Sequence, residues 1–200
     1  MPSSYVIAAS QSRHMSSRQR YIPLNTLERM NKVEFKIINA LPEHAEVLQE
    51  WLYQPKNLEF NPIYKSNLEE NRARLAELCS DFSQFGPGKK MYWIVLHQEN
   101  PVGRLSIKNY NSESHSVEIG YQIDERLHGK GLGTIAVELL THEVFTKTNI
   151  QSLIGLVAKL NTASRRVLEK CGFTMTEQTP DLINLQDIRR DLIKYVLQKN

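Results

Sequence analysis

Three of the nine glycines fall within five residues, Gly129-Lys130-Gly131-Leu132-Gly133, and Thr134 follows. The cluster lies between a strand pattern and an amphipathic helix pattern. Such a junction suits an anion. The first helical N–H groups lack intrahelical partners, the helix dipole is positive there, and glycine lets a phosphate approach the backbone closely. Arg126, His128 and Lys130 add side-chain donors. A tight turn using glycine for positive φ is the plainer reading, but one glycine would satisfy it. The spacing excludes two phosphate loops. A Walker loop needs Gly-Lys-Ser/Thr, and here Lys130 precedes Gly131. The dinucleotide fingerprint G-x-G-x-x-G fails because the third glycine arrives one residue early. What remains is G-x-G-x-G at a helix start.

A second cluster follows a strand pattern and runs from Asn161 to Phe173: Asn-Thr-Ala-Ser-Arg-Arg-Val-Leu-Glu-Lys-Cys-Gly-Phe. Asn161 is a good N-cap and Gly172 a good residue to end the helix, so a well-capped short helix is the plain reading. The histidines His44, His97, His115 and His142 sit on separate elements and do not converge. The two cysteines, Cys79 and Cys171, lie far apart with no C-x-x-C pair, so a structural zinc site is not expected. Cys171 reads as a small core residue, not the nucleophile of an acyl-enzyme.

Several elements must position these residues. Val33–Ile38 alternates with period two and predicts a strand. Pro42-Glu43 opens a helix whose apolar stripe is Ala45, Leu48, Trp51 and Leu52, and Pro55 is expected to stop it. A loop with Pro62 follows, then a helix from about Asn67 to Phe82 with Leu68, Leu75, Leu78 and Phe82 on one face. Met91–His97, Val102–Ile107 and Ser116–Ile123 read as a β-meander, with turns at 98–101 and a polar loop at 109–114. A helix of about Leu132–Lys147 comes next. A strand at Gln151–Ala158, a helix at Thr162–Cys171 and strands near Phe173–Glu177 and Ile188–Leu197 complete the pattern.

Residues 1–30 differ from the rest. There is no acidic residue from Met1 to Leu27, serine is frequent, and Arg13, Arg18 and Arg20 are scattered among polar residues. Three readings fit: a flexible extension, an upstream start ahead of Met15 or Met30, and, less well for want of a helical apolar face, an organelle transit peptide. The folded domain is therefore expected to occupy 31–200. The whole chain has 200 residues, 40% hydrophobic, and a net charge of +3. That excludes wholesale disorder and makes no demand for nucleic acid. Mean hydropathy is −0.43, and no apolar run approaches the roughly 18–20 residues of a membrane span. A cytoplasmic protein with no membrane partner is expected, and the cysteine usage fits a reducing compartment.

Taken together, the two clusters resemble the GNAT superfamily of acetyl-CoA-dependent N-acetyltransferases. The first resembles its Gln/Arg-x-x-Gly-x-Gly/Ala motif. His128, Gly131 and Gly133 fit with His128 departing from the usual residue, and Arg126, Gly129 and Gly131 fit two residues earlier, so two registers stand. The second, Asn-x-x-Ser-x-x-Val-Leu-Glu-Lys-x-Gly-Phe, resembles the RimJ/RimL-like branch, which acetylates protein N-terminal amines and some small amines. The resemblance covers roughly residues 33–198. It implies an α/β (α+β type) GNAT fold: a mostly antiparallel sheet of seven strands with a splayed parallel central pair, Ser116–Ile123 and Gln151–Ala158, and helices on both sides. It implies acetyl-CoA as co-substrate, no metal, and a cofactor site at Ile123, His128, Gly129, Lys130, Gly131, Leu132, Gly133, Thr134, Asn161 and Ser164. The acceptor it implies is a protein N-terminus, with a polyamine or aminoglycoside as the alternative. A non-catalytic CoA-binding sensor is the alternative of another class. Monomer and homodimer both stay open.

Acetyl transfer to an amine needs proton removal, a donor for the developing oxyanion and, optionally, a proton for the thiolate. Glu118 is the candidate base. It shares a strand face with Gly120 and Gln122, opposite Val117, Ile119, Tyr121 and Ile123, and a solvated or salt-bridged glutamate is the plain alternative. A backbone N–H near Ile119–Tyr121 would serve the oxyanion. Many relatives carry a Tyr before the Glu-Lys of the second motif as the thiolate's acid, and Leu168 stands there. Ser164, four residues earlier and on the same helical face, could take that role or simply cap and pack.

Overall fold

Alternating apolar residues build two cores, one on each face of a single sheet. The computed structural model of the protein describes residues 35–61, 66–179 and 191–199. Seven strands are present among them: β1 (Phe35–Asn39), β2 (Met91–His97), β3 (Asn100–Asn111), β4 (Ser116–Ile123), β5 (Ser152–Ala158), β6 (Thr174–Thr179) and β7 (Leu192–Gln198). Their spatial order is β1-β2-β3-β4-β5-β7-β6. Every pairing is antiparallel except β4 with β5. Five helices flank the sheet: α1 (Ala45–Leu52), α2 (Pro55–Phe60), α3 (Leu68–Ala76), α4 (Leu132–Lys147) and α5 (Thr162–Lys170). The expected mixed α/β architecture with a parallel central pair is the one observed. No helix among the described residues is long and apolar enough to cross a membrane.

The period-two pattern sorts side chains between the cores. Trp93 of β2, Leu105 and Ile107 of β3, Val117 of β4 and Leu153 of β5 point to one face and pack with Val137 and Leu140 of α4. Ile94 and Leu96 of β2 point to the other face and meet Ala45, Leu48 and Trp51 of α1 and Leu75 of α3. Trp51 and Ala45 are wholly buried there. The α5 helix is strapped to β7 through buried Tyr195, whose hydroxyl donates to Glu169 at 2.7 Å and accepts from Arg165 Nε at 3.1 Å.

The bounds of β2, β4 and α4 match the sequence reading, and those of β5 and α5 differ by a single residue. Four differences have physical reasons. Pro55 does not merely stop α1; it opens α2, in the first turn where a missing N–H costs nothing. The helix expected at 67–82 ends at Ala76, and Asp81 then caps a separate turn by accepting from Ser83 N at 2.7 Å. β3 is longer at both ends because the hairpin needs only Gln98 and Glu99, both at positive φ. A register shift between Val95 and Leu96 accommodates Pro101 inside the strand. At its far end β3 runs on to Asn111 through an irregularity that holds Asn109 at φ 54°. Val33, Glu34 and Ile188, expected in strands, lie outside the described residues, as do Pro62 and the whole 1–30 segment.

Trp51→Ala should lose about 3–5 kcal/mol of stability by emptying the second core. Chemical denaturation checks this through the midpoint at unchanged slope.

Candidate functional site

The site begins where two neighbouring strands part. β4 and β5 pair in parallel from Ser116–Ser152 to Ile119–Gly155, and no further pair follows. Yet β4 stays paired with β3 up to Ile123–Gly103, and β5 stays paired with β7 up to Ala158–Leu192. The facing edges of residues 120–123 and 156–158 are thus open to each other. They form the walls of a cleft of about 570 Å³ that also takes in the glycine turn, Asn161, Ser164 and Glu118. Unmet backbone donors and acceptors along such an edge need partners, and an extended amide-bearing chain supplies them.

The glycine turn feeds α4. Gly131 is its N-cap in the left-handed conformation at φ 80°, and Gly129 is left-handed too. Gly133 has another reason to be glycine. A Cβ there would lie 3.3 Å from Val167 and 3.4 Å from the Tyr121 ring, so α5 approaches α4 closely at this point. Two of the three glycines therefore answer a backbone need and the third a packing need, more than the single one the turn reading required. Thr134 N–H bonds Gly131 O at 3.1 Å. Leu132 and Gly133 are the first two helical residues, so their N–H groups have no carbonyl within the helix and lie at its positive end. This helix start fits the register that aligns His128, Gly131 and Gly133.

Of the three side-chain donors expected around the turn, two are committed elsewhere. His128 Nε2 donates to Ile123 O at 2.9 Å, closing that strand carbonyl. Arg126 donates through Nε to both carboxylate oxygens of Asp124, at 2.9 and 3.0 Å, and pairs with Glu50 at 2.9 Å. Lys130 remains directed at no described partner. Arg166 and Lys170, one helical turn apart on α5, also line the cleft. Their i, i+4 spacing could have drawn attention to them in the sequence.

Asn161 caps α5, its Oδ1 accepting from Ser164 N at 3.0 Å. Ser164 Oγ lies 2.9 Å from the hydroxyl of Tyr121, which also reaches Ser164 O at 3.3 Å. Burial pushes the Tyr121 phenol up to about 12, so it keeps its proton at neutral pH. The sequence reading set Tyr121 on the apolar strand face and missed this hydroxyl pair. Cys171 packs against the main core, its Sγ donating to Thr134 O at 3.6 Å, and burial raises its thiol to about 12. That is an inert thiol.

Glu118 lies on the opposite sheet face from Tyr121, where the cleft opens toward α1 and α2. It pairs with Lys108 at 2.9 Å and accepts from Asn109 Nδ2 at 2.8 Å. The salt-bridged reading of Glu118 is therefore observed, and it also lines the cleft. Its strand neighbour Gln122 is buried, not solvated: Nε2 donates to Trp51 O, and Oε1 accepts from Arg104. Buried Asp124 extends this join between strand and wall. It accepts from Gln54 Nε2 at 2.9 Å, while Gln54 Oε1 accepts from Glu125 N at 3.0 Å. Hydrogen bonding from Arg126 holds the Asp124 carboxyl well below the usual carboxylate range.

Comparison with known proteins agrees with this geometry. Residues 37–174 match the family described as "Acetyltransferase (GNAT) domain". Among curated proteins, the chain is 29% identical over 164 residues to "Putative ribosomal N-acetyltransferase YdaF" of Bacillus subtilis (strain 168), covering 82% of this chain and 85% of that one. Among solved structures it resembles RimL, named as a ribosomal L7/L12 alpha-N-protein acetyltransferase in complex with coenzyme A. The TM-score is 0.71 and the identity 20%, over 82% of this chain and 93% of that one. It also resembles a spermidine N-acetyltransferase chimera from Vibrio cholerae and hSSAT, with TM-score 0.71 and identity 17%, over 82% and 95%. These structural likenesses speak for the fold.

Asp124→Asn tests the join between wall and strand. Its loss should be about 1.5–3 kcal/mol at neutral pH, the range for hydrogen bonds to a charged group. Because the folded carboxyl titrates below its unfolded value of ~3.9, its contribution is full above that pH and fades as pH falls toward the folded value. Denaturation of parent and variant side by side should show a gap that narrows below about pH 4.

Proposed function

The chain belongs to the GNAT acetyltransferase family, and from that premise we propose that it moves an acetyl group from acetyl-CoA to a protein N-terminal α-amine by direct transfer. The observation that carries this reading is that the open strand edges, the helix-start N–H groups and Glu118 share one cleft. The residues fit a CoA molecule in a specific way. Leu132 and Gly133 N–H, with Gly129, Gly131 and Thr134 shaping the turn and Lys130 beside it, would hold the pyrophosphate. The open edges of β4, as far as Ile123, and of β5 would bond the pantetheine arm, and Asn161 lines the same space. His128 acts indirectly by fixing the Ile123 carbonyl.

Acetyl-CoA, when bound, supplies the acetyl group as a thioester. Glu118 takes one proton from the incoming ammonium, freeing its lone pair for the carbonyl carbon. Lys108 and Asn109 fix the carboxylate for that step. The departing sulfur receives, through the Tyr121–Ser164 hydroxyl pair, the second proton that the amine nitrogen loses as the amide forms, so the pair ends as it began. An α-amine at ~8 needs less help from a base than an alkylamine at ~10.

The charge of the acceptor end favours the α-amine over a polyamine or aminoglycoside. Lys56, Arg104 and Lys108 line it against Glu118 and Glu125, and that balance gives a polycation no net acidic surface to bind. We take residues 1–30 to lie outside the acetyltransferase domain, a reading supported by their acid-free, polar sequence without a helical apolar face. The two free thiols, Cys79 and Cys171, fit work in the reducing cytoplasm.

Turnover of acetyl-CoA with short peptides, spermidine and an aminoglycoside tests the reading, and a sensor would bind CoA without turnover. Glu118→Gln should lower kcat by about 10²–10⁴-fold, the usual size for a lost general base. The deficit should shrink as pH rises and the acceptor amine deprotonates itself. A deficit constant with pH would assign Glu118 to acceptor positioning, and parental activity would remove it from the reaction.

A further inference from the structure

Arg104 differs from the cations around it. It projects from β3 on the same sheet face as Ser106 and Lys108, opposite Gln122, Gly120 and Glu118 of β4. Its Nε donates to Gln122 Oε1 at 2.9 Å, and its guanidinium carbon lies 5.6 Å from the centre of the Tyr92 ring. Gln122 is itself anchored on Trp51 O. The guanidinium is thus held by a fixed amide on one side and an aromatic face on the other. Lys108 is neutralised by Glu118, and Arg126 by Asp124 and Glu50. Arg104 has no carboxylate partner among the described residues, although it is half-buried and lines the cleft.

A permanently charged guanidinium in that state is an incomplete pair. Its terminal nitrogens form a planar fork that matches a carboxylate through two parallel hydrogen bonds. Tyr92 and Gln122 have already restricted its motion, so little further ordering is needed when an anion arrives. Its place also sets a ruler. One two-residue strand step, about 7 Å, separates Arg104 from the Ser106–Gly120 pair beside the parting of β4 and β5. Glu118 lies one such step further on, so a carboxylate on Arg104 would belong to the acceptor at one to two strand steps, roughly 7–13 Å, from its amine. In an extended peptide that distance falls on the side chains of the first residues after the amine.

Resting on the proposed N-terminal acceptor, we infer that Arg104 selects protein N-termini carrying an aspartate or glutamate side chain within their first three residues. The guanidinium receives the acidic side chain while the amine reaches Glu118 and the thioester. Neither Glu118 nor the glycine turn has to change for this selection, so it acts on acceptor binding and leaves acetyl-CoA binding alone.

The test uses the full-length chain and Ser-initiated peptides identical except for Asp, Asn or Lys at the second and third positions. For the parent protein kcat/KM should be about tenfold or more higher for the Asp peptide than for its Asn isostere, with the difference carried by KM. Arg104→Gln should bring the Asp-to-Asn ratio to about one, and Arg104→Lys should leave it in between. An equal ratio in the parent, or one that Arg104→Gln leaves untouched, overturns the inference while the N-terminal reading stands. Should Arg104→Gln fail to fold by circular dichroism, the parent's ratio decides alone. Turnover of spermidine or an aminoglycoside with no peptide acetylated overturns both readings at once.

Discussion

The site depends on one interrupted pairing, the parallel ladder of β4 and β5 that ends at Ile119–Gly155. Each strand obeys a second partner beyond that point: β4 keeps register with β3, and β5 with β7. The sheet's twist then carries the two apart. α5 packs against the sheet where they part. Leu168, almost wholly buried, comes so near Gly155 that an added Cβ would lie 2.6 Å from its Cδ1. Gly133 grants the same helix a close approach to α4, and Tyr195 ties it to β7. Two glycines and one buried tyrosine thus seat α5 beside the opening.

From this opening the two sheet faces take different duties. On the α4 and α5 face, β4 presents Tyr121 to Ser164, a proton-bearing pair near the strands' parting. On the other face it presents Glu118 and Gln122 toward α1 and α2. Gln122 and Asp124 fasten that wall to the strand through Trp51, Gln54 and Arg126. The wall is therefore built into the strand that carries the proposed base. Its position relative to the opening is set by buried hydrogen bonds, and such bonds are expensive to leave unmade.

Much of this was legible in the sequence because it is local. The period-two run of Ser116–Ile123 and the glycines before Leu132 mark β4 and α4 to the residue. Asn161 and Gly172 mark α5 through capping chemistry. What was not legible is partner choice across the fold. Arg126 and His128 look like anion donors in a linear reading, yet Asp124, Glu50 and Ile123 claim them. Tyr121 reads as one more apolar-face residue until a helix 43 positions later brings Ser164 to its hydroxyl. Pro55 reads as a stop, because proline ends one helix and opens another with the same ring. Gly133 reads as part of an anion loop, although its missing side chain also serves helix packing.

The parted strands and the start of α4 together are the proposed CoA cradle. A crystal structure of the complex with CoA tests it most directly. The pyrophosphate oxygens should lie about 2.7–3.2 Å from the N–H groups of Leu132 and Gly133. The pantetheine amides should bond the open edges of β4 and β5 beyond Ile119 and Gly155. A complex in which CoA lies outside the cleft, or in which β4 and β5 have zipped together past Ile119–Gly155, would contradict it.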